Sequence, residues 1–375
     1  MKSFLLSVGA FALTSVSART FMIPRNASSK SFMGGNLYFL QGLSDDAQDA
    51  YIEDLANHGA KVVRVWVNEQ PGDNTCVKGS KITQKVPALE TTLGEYNSDT
   101  LDALDVVINK LAQKGIKSLI SPHDGNSLLG DYRKDVYFDK WGAKSFYTDS
   151  DALDAYKKRI DYIFNYQGKT SGKVWKNWGD AIMAFDLQNE PMSADNSVCT
   201  GGDTGKWLCQ TAQHMRETLG ADNPIKIATG GIGGDDSHGC TTLSAATQCD
   251  QIDLIAAHKY AGKQSSNPSQ WSNSASNWIS KSNGKLVFVE EWGVNTGSSD
   301  PTTELAAEAD DINSVAVPNL YWQFLPKQDS GCSYDPKNDS GDKFGIYVES
   351  DTDIAAVMKQ SSDADAKQDW SGIIA

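Results

Sequence analysis

The chain has 375 residues and a formal net charge of -14, a length that suits either two ordinary domains or one large α/β barrel. Its acidic residues are spread along the sequence, which argues against nucleic acid and against an anionic membrane surface as partner, since both are bound through an excess of Lys and Arg. Acidity alone selects no substrate and is read as solubility.

Residues 1–18 begin with Lys2, run apolar from Phe4 to Leu13 and finish on Val16-Ser17-Ala18. This is the pattern of a cleaved secretory signal, so the mature chain is expected from Arg19, secreted and extracellular. No later stretch reaches the roughly 18 continuous apolar residues of a membrane span. In a secreted chain the six cysteines predict three disulfides. Short loops favour pairing Cys199 with Cys209 and Cys240 with Cys249, leaving Cys76 with Cys332. The sequons Asn26-Ala27-Ser28 and Asn338-Asp339-Ser340 fit a glycoprotein.

The first apolar run is GGNLYFL (34–40), and the segment after it, SDDAQDAYIEDLANHG, predicts a helix. Ser44 caps its start, Tyr51, Ile52, Leu55 and Ala56 form one face, and Gly59 ends it. VVRVWV (62–67) is the second run. A helix in SDTLDALDVVINKLAQKG follows, with Leu101, Leu104, Ile108 and Leu111 on one side and a stop at Gly115, and it leads directly into IKSLIS (116–121). AIMAFDL (181–187), IKIATG (225–230), DLIAAH (253–258), LVFVEE (286–291) and LYWQF (320–324) complete eight runs. Eight strands alternating with helices fit a single closed (β/α)8 TIM barrel better than an open doubly wound sheet, and the first strand is followed by no dinucleotide-binding glycine fingerprint. GKQSSNPSQWSNSASNW (262–278) reads as a surface loop feeding a helix, and Lys327 to Lys343 as an extended loop over the C-terminal face. GGIGGDD (230–236) suggests phosphate or calcium, but reads better as a flexible loop.

A barrel delivers its functional side chains at the C-terminal ends of its strands. The polar residues there are Arg64, His123, Asn189 with Glu190, His258 with Tyr260, Glu291 and Trp322. Taken singly, Arg64 reads as a structural ion-pair residue, His123 as a turn residue beside Asp124 and Trp322 as a core aromatic; their joint placement on one rim outweighs those readings. Glu190 and Glu291 are a pair of the kind that cleaves glycosidic bonds, one giving a proton to the leaving oxygen and the other attacking. Arg64 is expected to favour the charged form of Glu291. His58, His214 and His238 lack partners at ligand spacing and read as structural or exposed; hydrolysis by two carboxyls needs no metal and no cofactor, and none is expected.

FDLQNEP around Glu190, AAHKY around His258, VEEWG around Glu291 and YWQF around Trp322 resemble the markers of family 5 glycoside hydrolases, retaining (β/α)8 enzymes. With Arg64 and His123 the set is matched at all eight positions, over about Gly34 to Phe324. The resemblance implies that residues 19–375 form one hydrolase domain, with Glu190 as acid/base and Glu291 as nucleophile. It further implies that Asn189 binds the sugar 2-hydroxyl, that Tyr260 and Arg64 hold the nucleophile, that His258 and His123 bond the site or the sugar, and that Trp322 is a stacking platform. Trp292, in the aromatic-Gly pair after the nucleophile, joins the substrate-binding set. Strand alternation is expected to turn Glu290 away, as a buried supporting residue.

GGNLYFL, VVRVW, LDALDVVINKLAQKGIK, FYTDSDALDAYKKRIDYI and AIMAFDLQNEP look closer to fungal secreted endo-β-1,4-mannanases of that family than to its cellulases. SPHDG leans towards cellulases, and FDLQNEP departs at its start from the mannanase form. The implied partner is therefore a β-linked polysaccharide, first β-mannan, then β-1,4-glucan or a β-1,6-linked glycan, cleaved by a monomer. A carbohydrate-binding barrel without catalysis is the reading from another class.

Overall fold

The computed structural model describes residues 29–131, 133–200, 205–260, 269–297, 300–350 and 352–374. The signal segment and Asn26 lie outside them. Eight parallel strands close a barrel: β1 (Met33–Asn36), β2 (Val62–Trp66), β3 (Lys117–Ser121), β4 (Ile182–Asp186), β5 (Lys226–Ala228), β6 (Leu254–Lys259), β7 (Leu286–Trp292) and β8 (Asn319–Tyr321), each paired with its sequence neighbour and β8 with β1. All eight fall within or against the apolar runs read from the sequence. The connecting helices include α1 (Asp45–His58), α2 (Asp99–Gln113), α3 (Val136–Phe146), α4 (Ser150–Phe164), α5 (Lys206–Leu219), α6 (Ser244–Thr247), α7 (Ser269–Lys281), α8 (Pro301–Ser314) and α9 (Ile354–Asp363).

Local chemistry accounts for the helix boundaries. Ser44 Oγ accepts from the Ala47 N–H, satisfying one unpaired donor of the first turn of α1, and Gly59 ends the helix at φ 92°, a conformation that costs a residue with a Cβ. Tyr51, Ile52 and Leu55 are its buried face. Helix α7 begins at Ser269, so the helix expected in 262–278 exists, while the surface loop expected before it falls on residues 261–268, which lie outside the described residues.

Period-two alternation sorts the strands between two cores, with a slip in β4 where Met183 and Ala184 both join the inner one. In β2, Val62 points into the barrel and Val63 and Val65 face the helices, so Arg64 also points inward, near the upper end. The lower interior is filled by Val62, Leu119, Ala184, Ala228, Leu254, Ala256, Phe288 and Leu320. Below them Phe32 from the N-terminal side and Trp370 and Ile373 from the C-terminal segment close the floor, Trp370 packing edge-on to Phe32 at 5.4 Å and Phe288 at 6.1 Å. Lys367 N donates to Ala316 O and Trp370 N to Ser29 Oγ, fixing that segment in place.

At the opposite, C-terminal rim, the β2–α2 connection carries short hairpins, 75–77 with 80–82 and 90–92 with 95–96, which the sequence reading did not foresee. The segment 327–343 lies beside the first of them, joined by the Cys76–Cys332 disulfide as expected. The other expected pairings are corrected. Cys209 in α5 is bonded to Cys249, with Cα atoms 5.6 Å apart, because α5 and α6 pack together and bring those residues face to face. Cys240 is also disulfide-bonded; the Cys199 side chain lies outside the described residues. No helix among the described residues is long and apolar enough to cross a membrane.

Candidate active site

Arg64 is wholly buried inside the barrel mouth and organises its neighbours. Its Nε and Nη2 donate to Asp186 Oδ2 at 3.0 and 2.9 Å, Nη2 also reaches Asn189 Oδ1 at 2.9 Å and Glu290 Oε2 at 3.2 Å, and Nη1 donates to Glu291 Oε1. Ser121 completes the Asp186 environment through its hydroxyl. Burial alone opposes a charged guanidinium, but Glu290, Asp186 and Glu291 hold it firmly protonated.

Glu190 follows β4 at φ 44°, a left-handed backbone unusual for a residue with a side chain. The turn is fixed by Glu190 N donating to Gly230 O at 2.7 Å and Asn189 N to His123 O at 2.8 Å, and Glu190 Oε1 and Oε2 accept from His258 Nδ1 at 2.9 Å and Asn126 Nδ2 at 2.8 Å. His258 Nε2 meets Glu290 Oε2 at 2.8 Å, so one imidazole ties the two carboxylates together. Tyr260 Oη donates to Glu291 Oε2 at 2.5 Å. Carboxylate oxygens of Glu190 and Glu291 and a nitrogen of His258 all lie within 4.8 Å of one another.

The expected alternation at Glu290 is corrected. Phe288 points into the barrel and Val289 outward, so regular alternation turns Glu290 inward. The β6–β7 register then slips, Ala257 pairing with Val289 but His258 with Glu291, and this β-bulge brings Glu291 inward as well. Both glutamates therefore reach Arg64, and Trp292 is thrown to the other face. Trp292 is fully buried against Tyr321 and Trp271, with Nε1 donating to Asn319 Oδ1 at 3.0 Å. It is a packing residue and not, as expected, a sugar-binding one.

The remaining expected residues divide by what they touch. Asn189 spends one amide hydrogen on Asp124 Oδ1 at 2.7 Å and keeps a second donor. His123 is buried with Nε2 on Asp135 Oδ2 and Nδ1 on Gln188 Nε2, both at 2.6 Å, so both ring nitrogens are occupied by protein and it supports the wall without offering an atom to a sugar. Trp322 is partly exposed, edge-on to Trp66 at 5.5 Å and nearly parallel to Tyr38 at 6.1 Å. Asn126, Asp186 and Glu290's direct bond to His258 were not anticipated; Asp186 stood in FDLQNEP at an inward position of β4, which was the available signal. The GGIGGDD loop is also corrected: residues 229–234 are buried, and a Cβ on Gly231 (φ 77°) would sit 2.4 Å from the His258 ring. His58, His214 and His238 bond Asp54 O, Asp161 and Gly233 O, as structural residues do.

Electrostatics separate the two carboxyls. Burial pushes Glu291 up to about 7, although His258, Arg64 and the Tyr260 hydroxyl oppose it. Arg64 does favour its charged form, as expected, but burial outweighs that. Burial also pushes Glu190 up, yet the His258 hydrogen bond and charge and the Asn126 amide outweigh it, leaving Glu190 below the ordinary carboxylate value. Against its own burial, His258 is raised to about 10 by Glu291, Glu190 and Glu290. Glu190, His258 and Glu291 are the group of described residues spaced to hold a metal, but each His258 nitrogen already faces a carboxylate.

The family model described as Cellulase (glycosyl hydrolase family 5) matches residues 26–328. The chain is similar to mannan endo-1,4-beta-mannosidase A of Podospora anserina, 24% identical over 90% of this chain and 88% of that protein. It is also similar to mannan endo-1,4-beta-mannosidase 7 of Arabidopsis thaliana, 24% identical over 69% of this chain, and spans 58% of that plant protein's length. Among solved structures, the hyperthermostable endo-1,4-beta-D-mannanase of Thermotoga petrophila RKU-1 shares the fold with a TM-score of 0.66 at 18% identity, over 88% of this chain and 99% of that one.

Proposed function

The chain belongs to glycosyl hydrolase family 5, and on that footing we propose that it is a secreted, retaining endo-β-1,4-mannanase acting by double displacement. Residues 1–18 are then its signal and 19–375 one catalytic domain. The observation that carries the proposal is that Glu190 and Glu291 each bring a carboxylate oxygen within 4.8 Å of the other across one mouth, a close approach of the kind expected where carboxyl groups stand roughly 5 Å apart in retaining enzymes rather than roughly 6.5–9.5 Å apart with water between them in inverting ones.

In this reading Glu291 attacks the anomeric carbon while Glu190 protonates the departing oxygen, then removes a proton from the water that hydrolyses the glycosyl-enzyme. Chemistry needs Glu190 protonated and Glu291 ionised, the reverse of the order favoured by the protein surroundings alone. His258 supplies the adjustment: its Nδ1 proton lies on a 2.9 Å hydrogen bond to Glu190 Oε1, and Arg64 and Tyr260 receive the charge left on Glu291. The free Asn189 donor meets the sugar 2-hydroxyl, and Trp322 takes the apolar face of the ring.

Mannan as substrate is supported by the names of the relatives. The family model's own name keeps β-1,4-glucan as the second reading. Reducing-sugar release from β-mannan and from carboxymethyl cellulose separates them, with proton NMR following the anomer first released. Faster release from cellulose overturns the mannan assignment; an initial α-anomer overturns retention.

A further inference from the structure

We infer that Asp342, anchored by Lys78, is a positioning residue for the aromatic walls of the cleft, so that substrate affinity depends on a clasp built outside the catalytic set. The inference rests on the glycosidase reading for what binds there. Both oxygens of Asp342 are committed. Oδ2 accepts from Trp322 Nε1 at 3.1 Å and Gln323 Nε2 at 2.9 Å and lies 3.0 Å from Lys78 Nζ. Oδ1 accepts from Phe344 N at 3.2 Å. The Phe344 ring packs 4.6 Å from that of Tyr260, whose hydroxyl holds Glu291. One carboxylate thus fixes the only polar atom of the Trp322 indole and the backbone of the ring behind Tyr260.

The clasp has its own foundation. Lys78 sits at the tip of the 75–82 hairpin with its side chain 12% exposed, and also donates to Asp339 Oδ2 at 2.8 Å and Tyr334 Oη at 3.1 Å. The Cys76–Cys332 disulfide joins that hairpin to the segment bearing both aspartates. On its other side Trp322 meets Trp66, over whose ring the Arg64 guanidinium lies at 4.4 Å. A surface ion pair has no need to converge on a single indole N–H; this set does, and a charged acceptor makes that bond strong and directional. A stacking platform holds substrate and transition state alike, and loosening it therefore acts on KM more than on kcat.

The test compares Asp342→Ala, Lys78→Met and the wild type on β-mannan and on carboxymethyl cellulose, with far-UV circular dichroism to confirm folding. Asp342→Ala should raise KM about tenfold with kcat within about threefold, the loss of roughly one well-oriented contact, and Lys78→Met should shift KM in the same direction by less. A fall in kcat without a rise in KM overturns the inference. An activity-independent arm follows the indole N–H of Trp322 by NMR, assigned by its absence in Trp322→Phe: slow exchange with solvent should be lost in Asp342→Ala, and an unchanged exchange rate refutes the clasp. If the wild type cleaves no β-glycan, the glycosidase reading fails, and the NMR arm still decides the clasp.

Discussion

Glu291→Gln removes one negative charge from a site that burial makes inhospitable to it. A carboxyl with a pKa of about 7 in the folded protein and an ordinary 4.5 costs the folded state on the order of 3 kcal/mol once it is fully ionised. The sign follows from the direction of the shift. A raised carboxyl carries no penalty below about 4.5, and its penalty grows as pH rises to about 7 and is constant above. The glutamine amide can accept from Arg64 through its oxygen and donate to Tyr260 Oη, so few hydrogen bonds are lost. With an unfolding entropy of roughly 2.1 cal/mol/K per residue, this chain gains about 4 °C in Tm from that energy. The variant should therefore melt higher than the wild type at pH 8 and equally at pH 4.5, by calorimetry, while turnover falls by ~10³-fold or more. A variant that melts lower at pH 8, or a difference that does not grow with pH, refutes the reasoning.

Glu190→Ala should retain cleavage of aryl glycosides with good leaving groups, which need no acid, and added azide should yield a β-glycosyl azide detectable by mass spectrometry. Gly231→Ala forces a methyl against the His258 ring at a positive φ; a loss of ~2–3 kcal/mol in urea unfolding and at least tenfold in kcat is expected. His258, raised from 6.5 to about 10, contributes stability that is complete below about 6.5 and lost as pH rises through about 10. His258→Gln should accordingly flatten the alkaline fall of the urea midpoint.

The barrel was legible because its strands are short apolar runs spaced by helices whose caps and stops are local, such as Ser44 and Gly59 in α1. The rim was legible because topology forces strand ends together whatever the loops do. Alternation misled at Glu290, since a bulge depends on how β6 and β7 slide past each other and leaves no mark in LVFVEEW. The Cys209–Cys249 pairing was hidden for a related reason: loop-closure entropy favours near neighbours, while packing of α5 on α6 decides which sulfurs meet. Asn126 sits in a short 3-10 turn and Asp342 in a loop, and the courses of both are set by tertiary contact. The glycines at 230 and 231 looked like flexibility, but the fold uses their missing side chains to admit the Gln188 backbone and the His258 ring.

Because Trp370 and Ile373 stop the lower end of the barrel, a segment far downstream of the eighth strand completes the packing of its base. A nascent chain held at residue 360 has all eight strands in hand yet an open base. Closure of the barrel thus waits on this stopper, and deletion of the segment that carries Trp370 and Ile373 should harm yield far more than its length suggests.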